Sequence, residues 1–145
     1  MSSSRPAALW LRFAAAVYDL LPLLGLWMLV AGVFLLAAHG SVDVVHPPPG
    51  YRFALRLALF AVTAAYFVIS WSRGGQTIGM RAWRIEVVAA DGAMLPWPRA
   101  LLRFVVALVS LLAAGLGFFW SFIDRERRCW HDIASGSSLR KRPPR

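Results

Sequence analysis

The feature that most constrains this chain is an apolar run from Leu9 to Ala38 that carries only two charged residues, Arg12 and Asp19. At about 1.5 Å per residue, the uncharged part from Leu20 to Ala38 forms a helix about 28 Å long, close to the hydrocarbon thickness of a bilayer. A helix of this length that is apolar on all sides is unusual in a soluble protein. The run therefore predicts a membrane-spanning helix.

A carboxylate inside such a helix costs about 2.5 to 3.5 kcal/mol on insertion scales, so Asp19 is the first candidate for a functional residue. Arg12 and Asp19 are seven residues apart and share one face, but they are too distant to form an intrahelical pair. We expect each to meet a partner from another segment. Pro22 predicts a kink beside Asp19. In the alternative interpretation, Asp19 only holds helices together.

The composition fits a single-domain, multi-pass integral membrane protein, because 59% of the 145 residues are hydrophobic. The 16 basic residues outnumber 7 acidic ones, but they flank apolar segments. They are expected to set topology and contact anionic lipid headgroups, and we expect no nucleic-acid partner. One cysteine, Cys129, excludes an internal disulfide and cannot hold zinc alone. Without an ordered nucleophile, metal or acid-base set, we expect no enzyme, metal or cofactor.

The remaining elements follow from the same patterns. A second spanning segment is predicted at about 53–71, and a third apolar segment at 101–122. Residues 39–50, with three consecutive prolines at 47–49, are expected to form a non-helical loop. A cytoplasmic β-hairpin is predicted at about 83–95, with a strand around Val87, a turn at Asp91-Gly92 and a return at Met94-Leu95. Residues 124–145 form a basic tail that is typical of an interfacial helix.

The third segment has two possible topologies. Its length allows a crossing, but then the basic residues divide almost evenly between the two sides. If the chain turns back at Gly115-Leu116-Gly117, only Arg52 and Arg56 of the 16 basic residues lie on the far side. The positive-inside rule favours this re-entrant form, with a cytoplasmic N-terminus.

Three separated motifs resemble the RDD family of small membrane proteins, over roughly Leu9 to Leu139. They are Arg12 with Asp19, the stretch 75–81 (Gly-Gln-Thr-Ile-Gly-Met-Arg), and residues 130–132 (Trp-His-Asp). The family is named for an arginine and two aspartates. The resemblance implies that these are Arg12, Asp19 and Asp132, with Asp124 as the alternative second aspartate. Met80 stands where the family usually has lysine.

The resemblance implies no settled activity, although ion or solute transport is usually suggested for the family. Our first hypothesis is proton- or cation-linked transport by a homo-oligomer in a bacterial inner membrane. Asp19 would bind the ion, and a pair between Arg12 and Asp132 would gate the cytoplasmic end. His131 would titrate near neutral pH. Further candidate residues are Gln76, Thr77, Arg81 and Asp124. The alternative is a scaffold or accessory subunit that docks another membrane protein.

Overall fold

A computed structural model describes residues 7–39 and 41–142. Two long helices, α1 (Leu9–Ala37) and α2 (Pro49–Gly74), form an antiparallel pair. We call the end where α1 begins and α2 ends the motif end, and the end joined by residues 38–48 the loop end. Both helices are long and apolar enough to cross a membrane, and almost no residue in their most apolar stretches is buried. These surfaces therefore suit contact with lipid chains.

The predicted boundaries of the first two segments need small corrections. Helix α1 runs unbroken through Pro22, within the predicted range. Helix α2 begins earlier than predicted, at Pro49, so the prediction that all three prolines lie in the loop is wrong for this residue. Proline is tolerated at the first position of a helix because its missing N–H would have no partner there. Gly75, with φ of 64°, ends α2 in the left-handed conformation.

The third apolar segment is broken close to the predicted turn at Gly115-Leu116-Gly117. Helix α4 (Trp97–Leu112) is followed by α5 (Leu116–Phe119) and a 3₁₀ turn (Trp120–Phe122), and the two legs bend by 107°. Gly115 makes the turn with φ of 78°. A methyl group on Gly117 would overlap the Ser110 hydroxyl, so the second leg packs directly against α4.

A short helix, α3 (Ile78–Ala82), leads into a two-stranded antiparallel sheet of β1 (Ile85–Ala89) and β2 (Ser137–Lys141). The predicted return strand at 94–95 is wrong, because β1 pairs with β2, with Val87 opposite Leu139. The tail is also not an interfacial helix. It folds into helix α6 (Trp130–Ala134) and then β2, while residues 143–145 lie outside the described part of the chain.

The main buried cluster lies at the motif end, where the sheet covers the helix ends. Ile85, Leu95 and Leu139 are fully buried there beside Trp71. The Ala7 amide donates to the Leu139 carbonyl at 2.9 Å, so both described chain ends meet at this end. The structure is thus a helical membrane fold with two spanning helices, a broken third segment and a small antiparallel sheet.

This topology predicts which positions label from the same side of the membrane. In a Cys129→Ser background, single cysteines at Ala90 and Lys141, both exposed at the motif end, should react with an impermeant thiol reagent from one side. A cysteine at Ser41 in the loop should react from the other side. Reaction at Ala90 and Lys141 from opposite sides would show that the third segment crosses the bilayer.

Candidate functional site

The first buried polar site surrounds the carboxylate of Asp19. Only 2% of this residue is exposed. The hydroxyl groups of Tyr66 and Thr77 donate to it, each at 2.6 Å, and the backbone amide of Gly79 donates at 2.8 Å. We call these four residues the Asp19 cluster. It joins α1, α2 and the segment that begins α3, so a carboxylate in an apolar helix finds three hydrogen-bond donors.

The Gly-Gln-Thr stretch is shaped to present these donors. Thr77 is the N-cap of α3, and its side-chain oxygen also accepts a hydrogen bond from the Met80 amide at 3.2 Å. The buried Gln76 links the stretch to the sheet, since its side-chain amide donates to the Ile85 carbonyl at 2.8 Å. Its carbonyl oxygen accepts from Arg142 at 2.9 Å. The predicted candidates Gln76 and Thr77 thus hold the motif in place.

Gly79 is where α3 approaches α1 most closely. A methyl group at this position would overlap the Ala15 carbonyl oxygen and lie 2.9 Å from Cγ of Asp19. Only a residue without a side chain lets the backbone amide reach the carboxylate.

Gly79→Ala is therefore expected to lower the thermal stability of the purified protein, because α3 must move away from α1 and the amide bond to Asp19 is lost. Overpacking of this kind costs about 1 to 3 kcal/mol. The matched control is Gly25→Ala in α1, where a methyl group meets no atom within 4 Å. Equal unfolding temperatures for the two variants in the same detergent would contradict the close packing at Gly79.

The second buried polar site is built on Asp132, which is fully buried. One carboxylate oxygen accepts hydrogen bonds from Arg12 and from the Cys129 amide, the latter at 3.0 Å, while the other accepts from Arg103 at 2.6 Å. We call Arg12, Arg103 and Asp132 the Asp132 cluster. The predicted pair between Arg12 and Asp132 is present, and it fixes α6 against the first turns of α1.

Arg103 is the member that sequence reasoning missed. Its guanidinium also donates to the Ser137 hydroxyl at 2.6 Å and lies over the ring of Trp71, 5.2 Å from the ring centroid. Because the third segment was predicted to begin at Leu101, Arg103 looked like a terminal residue facing headgroups. Helix α4 begins at Trp97 instead, which places Arg103 inside the helix. The sequence signal that could have indicated its burial was the position of this basic residue within an amphipathic helix.

The cluster sets the ionisation of two residues of α6. Burial alone would raise the pKa of Asp132, but the charges of Arg103 and Arg12 outweigh it and hold that pKa well below its usual range. Burial, reinforced by the charge of Arg103, lowers the pKa of His131 to about 3. The expectation that His131 titrates near neutral pH is therefore wrong, because the imidazole stays neutral at physiological pH.

Two other predicted candidates lie outside both clusters. Arg81 is exposed on α3. Asp124 accepts hydrogen bonds from the backbone and side chain of Arg128, at 2.9 and 3.1 Å, within its own turn. The geometry therefore identifies Asp132, and not Asp124, as the aspartate that meets Arg12.

Cys129, His131 and Asp132 bring three potential metal-ligand atoms within 4.8 Å of one another. Arg12 and Arg103 already occupy the carboxylate, and their positive charges oppose a cation at this position. Burial also raises the pKa of the Cys129 thiol, which favours the protonated form over the thiolate that a metal needs. These contacts do not fit a metal centre.

A cavity of about 610 Å³ lies between α1, α2 and α4, and both clusters border it. Arg12, Asp19, Arg103 and His131 lie along its motif end. Towards the loop end it reaches Trp27, whose indole donates to Thr63 at 2.9 Å. Most of the remaining wall is apolar, from residues such as Leu59, Phe60, Phe67, Phe104 and Leu108. The volume is in the range of small-molecule sites.

These features define a small multi-pass helical membrane protein in which two buried aspartates connect the motif end to the spanning helices. The chain belongs to the RDD family, which it matches over residues 6–136. Comparisons with curated proteins and with solved structures give no match. Met80, where the family pattern usually has lysine, is buried and borders the cavity beside the Asp19 cluster.

Asp132→Asn is expected to lower the free energy of unfolding by about 3 to 5 kcal/mol, because two buried arginines lose their carboxylate. The depressed pKa of Asp132 means that its stabilisation is complete above about pH 4, the unfolded value, and is lost as the pH falls below it. Stability measured between pH 7 and pH 3 should therefore decrease more in the wild-type protein than in the variant.

The matched control for this prediction is Asp124→Asn, which removes a carboxylate from the same region but outside the cluster. It should cause a much smaller loss at pH 7, since its partner Arg128 remains partly exposed to water. Equal losses for the two variants would contradict the central position of Asp132.

Proposed function

We propose that this protein is a non-enzymatic transport protein, in which a proton or small cation at Asp19 is coupled to movement of a solute through the cavity. The observation that carries the proposal is that Asp19, a buried carboxylate at about 15 Å along α1 from Leu9, borders a cavity within the membrane-spanning part of the chain. Intramembrane carboxylates of this kind commonly mark proton and ion pathways.

The hydrogen bonds of Asp19 favour the proton over the cation. The hydroxyl groups of Tyr66 and Thr77 can rotate and change from donor to acceptor, whereas a cation would have to displace them. The Gly79 amide can only donate. Protonation of Asp19 therefore weakens the contact between α1 and the Gly-Gln-Thr segment, which couples proton binding to the position of α3.

The Asp132 cluster lies beside the motif end of the same cavity and is the proposed gate. Arg12 and Arg103 border the cavity, and their shared carboxylate is carried by α6. Movement of α6 would separate the carboxylate from both arginines and open this end. The energetic penalty of leaving buried charges unpaired would keep the gate closed at rest.

Localisation in the cell membrane with a cytoplasmic N-terminus forms part of the proposal. It is supported by the charge distribution, since only Arg52 and Arg56 among the basic residues within 7–39 and 41–142 lie towards the loop end. The basic residues at the motif end would then contact anionic lipid headgroups. Two spanning helices enclose little space for a transport pathway on their own. We therefore propose that the protein assembles as a homo-oligomer.

The absence of enzymatic activity is likewise a proposal. Cys129, the chain's single cysteine, is fully buried, and burial raises the pKa of its thiol. Burial, with the charge of Arg103, lowers the pKa of His131 beside it and keeps the imidazole neutral. A buried, protonated thiol is a poor nucleophile, which supports a role in packing.

Transport can be tested by measuring the flux of protons into proteoliposomes that contain either the wild-type protein or Asp19→Asn. We expect at least a tenfold loss of rate, with Tyr66→Phe showing a smaller loss because the carboxylate remains. Asp43→Asn in the exposed loop is the matched control and should leave the rate unchanged. Folding of each variant is checked by size-exclusion chromatography. An unchanged rate for a folded Asp19→Asn protein would contradict the transport proposal.

A scaffold or accessory subunit is the second candidate, and the complete hydrogen bonding of Asp19 favours it. Three donors within 2.8 Å satisfy this carboxylate without any ligand, as expected of a residue that only joins helices. Purification in a gentle detergent would then recover a stoichiometric membrane-protein partner. A homo-oligomer without a partner, together with Asp19-dependent flux, favours transport instead.

A further inference from the structure

Helix α3 begins beside the Asp19 carboxylate, which receives the first three backbone amides of α3 either directly or through one hydroxyl group. The Ile78 amide donates to the Tyr66 hydroxyl at 3.2 Å. The Met80 amide donates to the Thr77 hydroxyl, also at 3.2 Å. Both hydroxyl groups then donate to the carboxylate, and the amide between them donates to it directly. Asp19 therefore caps a helix that belongs to another segment of the chain.

Helix α3 has little else to stabilise it. It is five residues long, far below the length at which a helix is stable by itself in water. Only Gly79 and Met80 are buried, and the first of these has no side chain to pack. The other three residues of the helix are exposed. The first turn of α3 therefore depends on the charge of the Asp19 carboxylate.

The chain is held in place on both sides of α3. Before the helix, the Gly75 carbonyl accepts a hydrogen bond from the Val87 amide of β1 at 2.7 Å. After the helix, the ring of Trp83 packs edge to face against Trp10 and Tyr18 of α1, with centroids 5.6 and 5.7 Å apart. Release of α3 from Asp19 is thus a local change between two fixed points, and the sheet can stay intact.

Helix α3 also forms part of the cavity wall at the motif end. Met80 borders the cavity, together with Ala15 and Asp19 of α1. The backbone of α3 lies so close to Ala15 that a methyl group on Gly79 would overlap its carbonyl oxygen. A movement of α3 away from α1 therefore removes Met80 from the wall and opens the cavity at this end.

The charged groups around Asp19 are occupied elsewhere or point away from it. Within the residues that the structure describes, Asp19 forms no ion pair, and Arg81, the charged residue of α3, is exposed. The guanidinium of Arg81 extends towards the end of α2, where a methyl group on Gly74 would lie 3.5 Å from it. The other titratable residues that border the cavity are Arg12, Arg56, Arg103 and His131. No cation therefore replaces the contacts of Asp19 when its charge is lost.

We propose that α3 is a lid on the motif end of the cavity, which the Asp19 carboxylate holds shut and which opens when this carboxylate takes up a proton. Protonation turns one carboxylate oxygen from an acceptor into a donor, which then faces a hydroxyl group or an amide that also donates. The first turn of α3 loses part of its cap, and Met80 leaves the cavity wall. This inference rests on the proposed function in that it assigns regulation of the same cavity to the same carboxylate.

The test is the rate at which Met80→Cys reacts with an impermeant thiol reagent, in full-length Cys129→Ser protein in nanodiscs at a single pH. We expect the rate to rise about tenfold or more when Asp19→Asn is added, because the neutral amide cannot accept from all three donors. The control is Val88→Cys in β1, which is equally buried and should stay unreactive. An unchanged rate at Met80→Cys overturns the lid. A similar rise at Val88→Cys also overturns it, because Asp19 would then support the whole motif end.

Thr77→Val tests the lid without removing the carboxylate. This change keeps the size of the side chain but removes the hydroxyl that links Asp19 to the Met80 amide, so Met80→Cys should react about threefold faster or more. The matched control is Thr63→Val in α2, whose hydroxyl accepts from Trp27 and which should leave the rate unchanged. Should Asp19→Asn fail to fold, Thr77→Val still decides, because an unchanged rate there overturns the proposal.

The outcomes separate the lid from the transport proposal. Reactivity of Met80→Cys that depends on Asp19, without proton flux in the wild-type protein, keeps the lid and rejects transport. Proton flux that depends on Asp19, with unchanged reactivity of Met80→Cys, keeps transport and rejects the lid.

Discussion

The structure depends on the need to neutralise a buried carboxylate in an apolar setting, which Asp132 meets with two arginines from different segments. Arg12 comes from the first spanning helix and Arg103 from the broken third segment, while Asp132 lies near the other end of the chain. Because an unpaired charge in such a position is far more expensive than a paired one, the three segments must meet. A re-entrant third segment is compatible with this requirement, whereas a third segment that crossed the bilayer would separate Asp132 from Arg12.

Asp19 makes a different kind of junction, in which no cation takes part. Its three donors are two hydroxyl groups and one backbone amide, at 2.6 to 2.8 Å. The two clusters thus differ in what holds them together. The first is an ion pair shared by two arginines, whereas the second relies on neutral donors and on the close approach of α3 to α1 at Gly79.

Local patterns in the sequence were sufficient for the spanning helices and for Asp19, because hydrophobic length and a buried charge are properties of one segment. They were not sufficient for the sheet. The short apolar stretch at Met94-Leu95 looked like a return strand, but the true partner, Ser137–Lys141, is distant and outwardly basic. Arg103 was missed for a related reason, since its burial depends on α6 and on Trp71 and not on its own neighbours. The family resemblance identified Asp132, and the contacts explain its importance.

The pairing of β1 with β2 has a consequence for biosynthesis. Ile85 lies opposite Lys141, so the edge of β1 stays open until residues far along the chain have left the ribosome. The two long helices can enter the bilayer well before that moment, as segments synthesised early do. Membrane insertion and closure of the motif end are therefore separate events in time. Between them, Arg12 and Arg103 lack the carboxylate of Asp132, which is synthesised later than both.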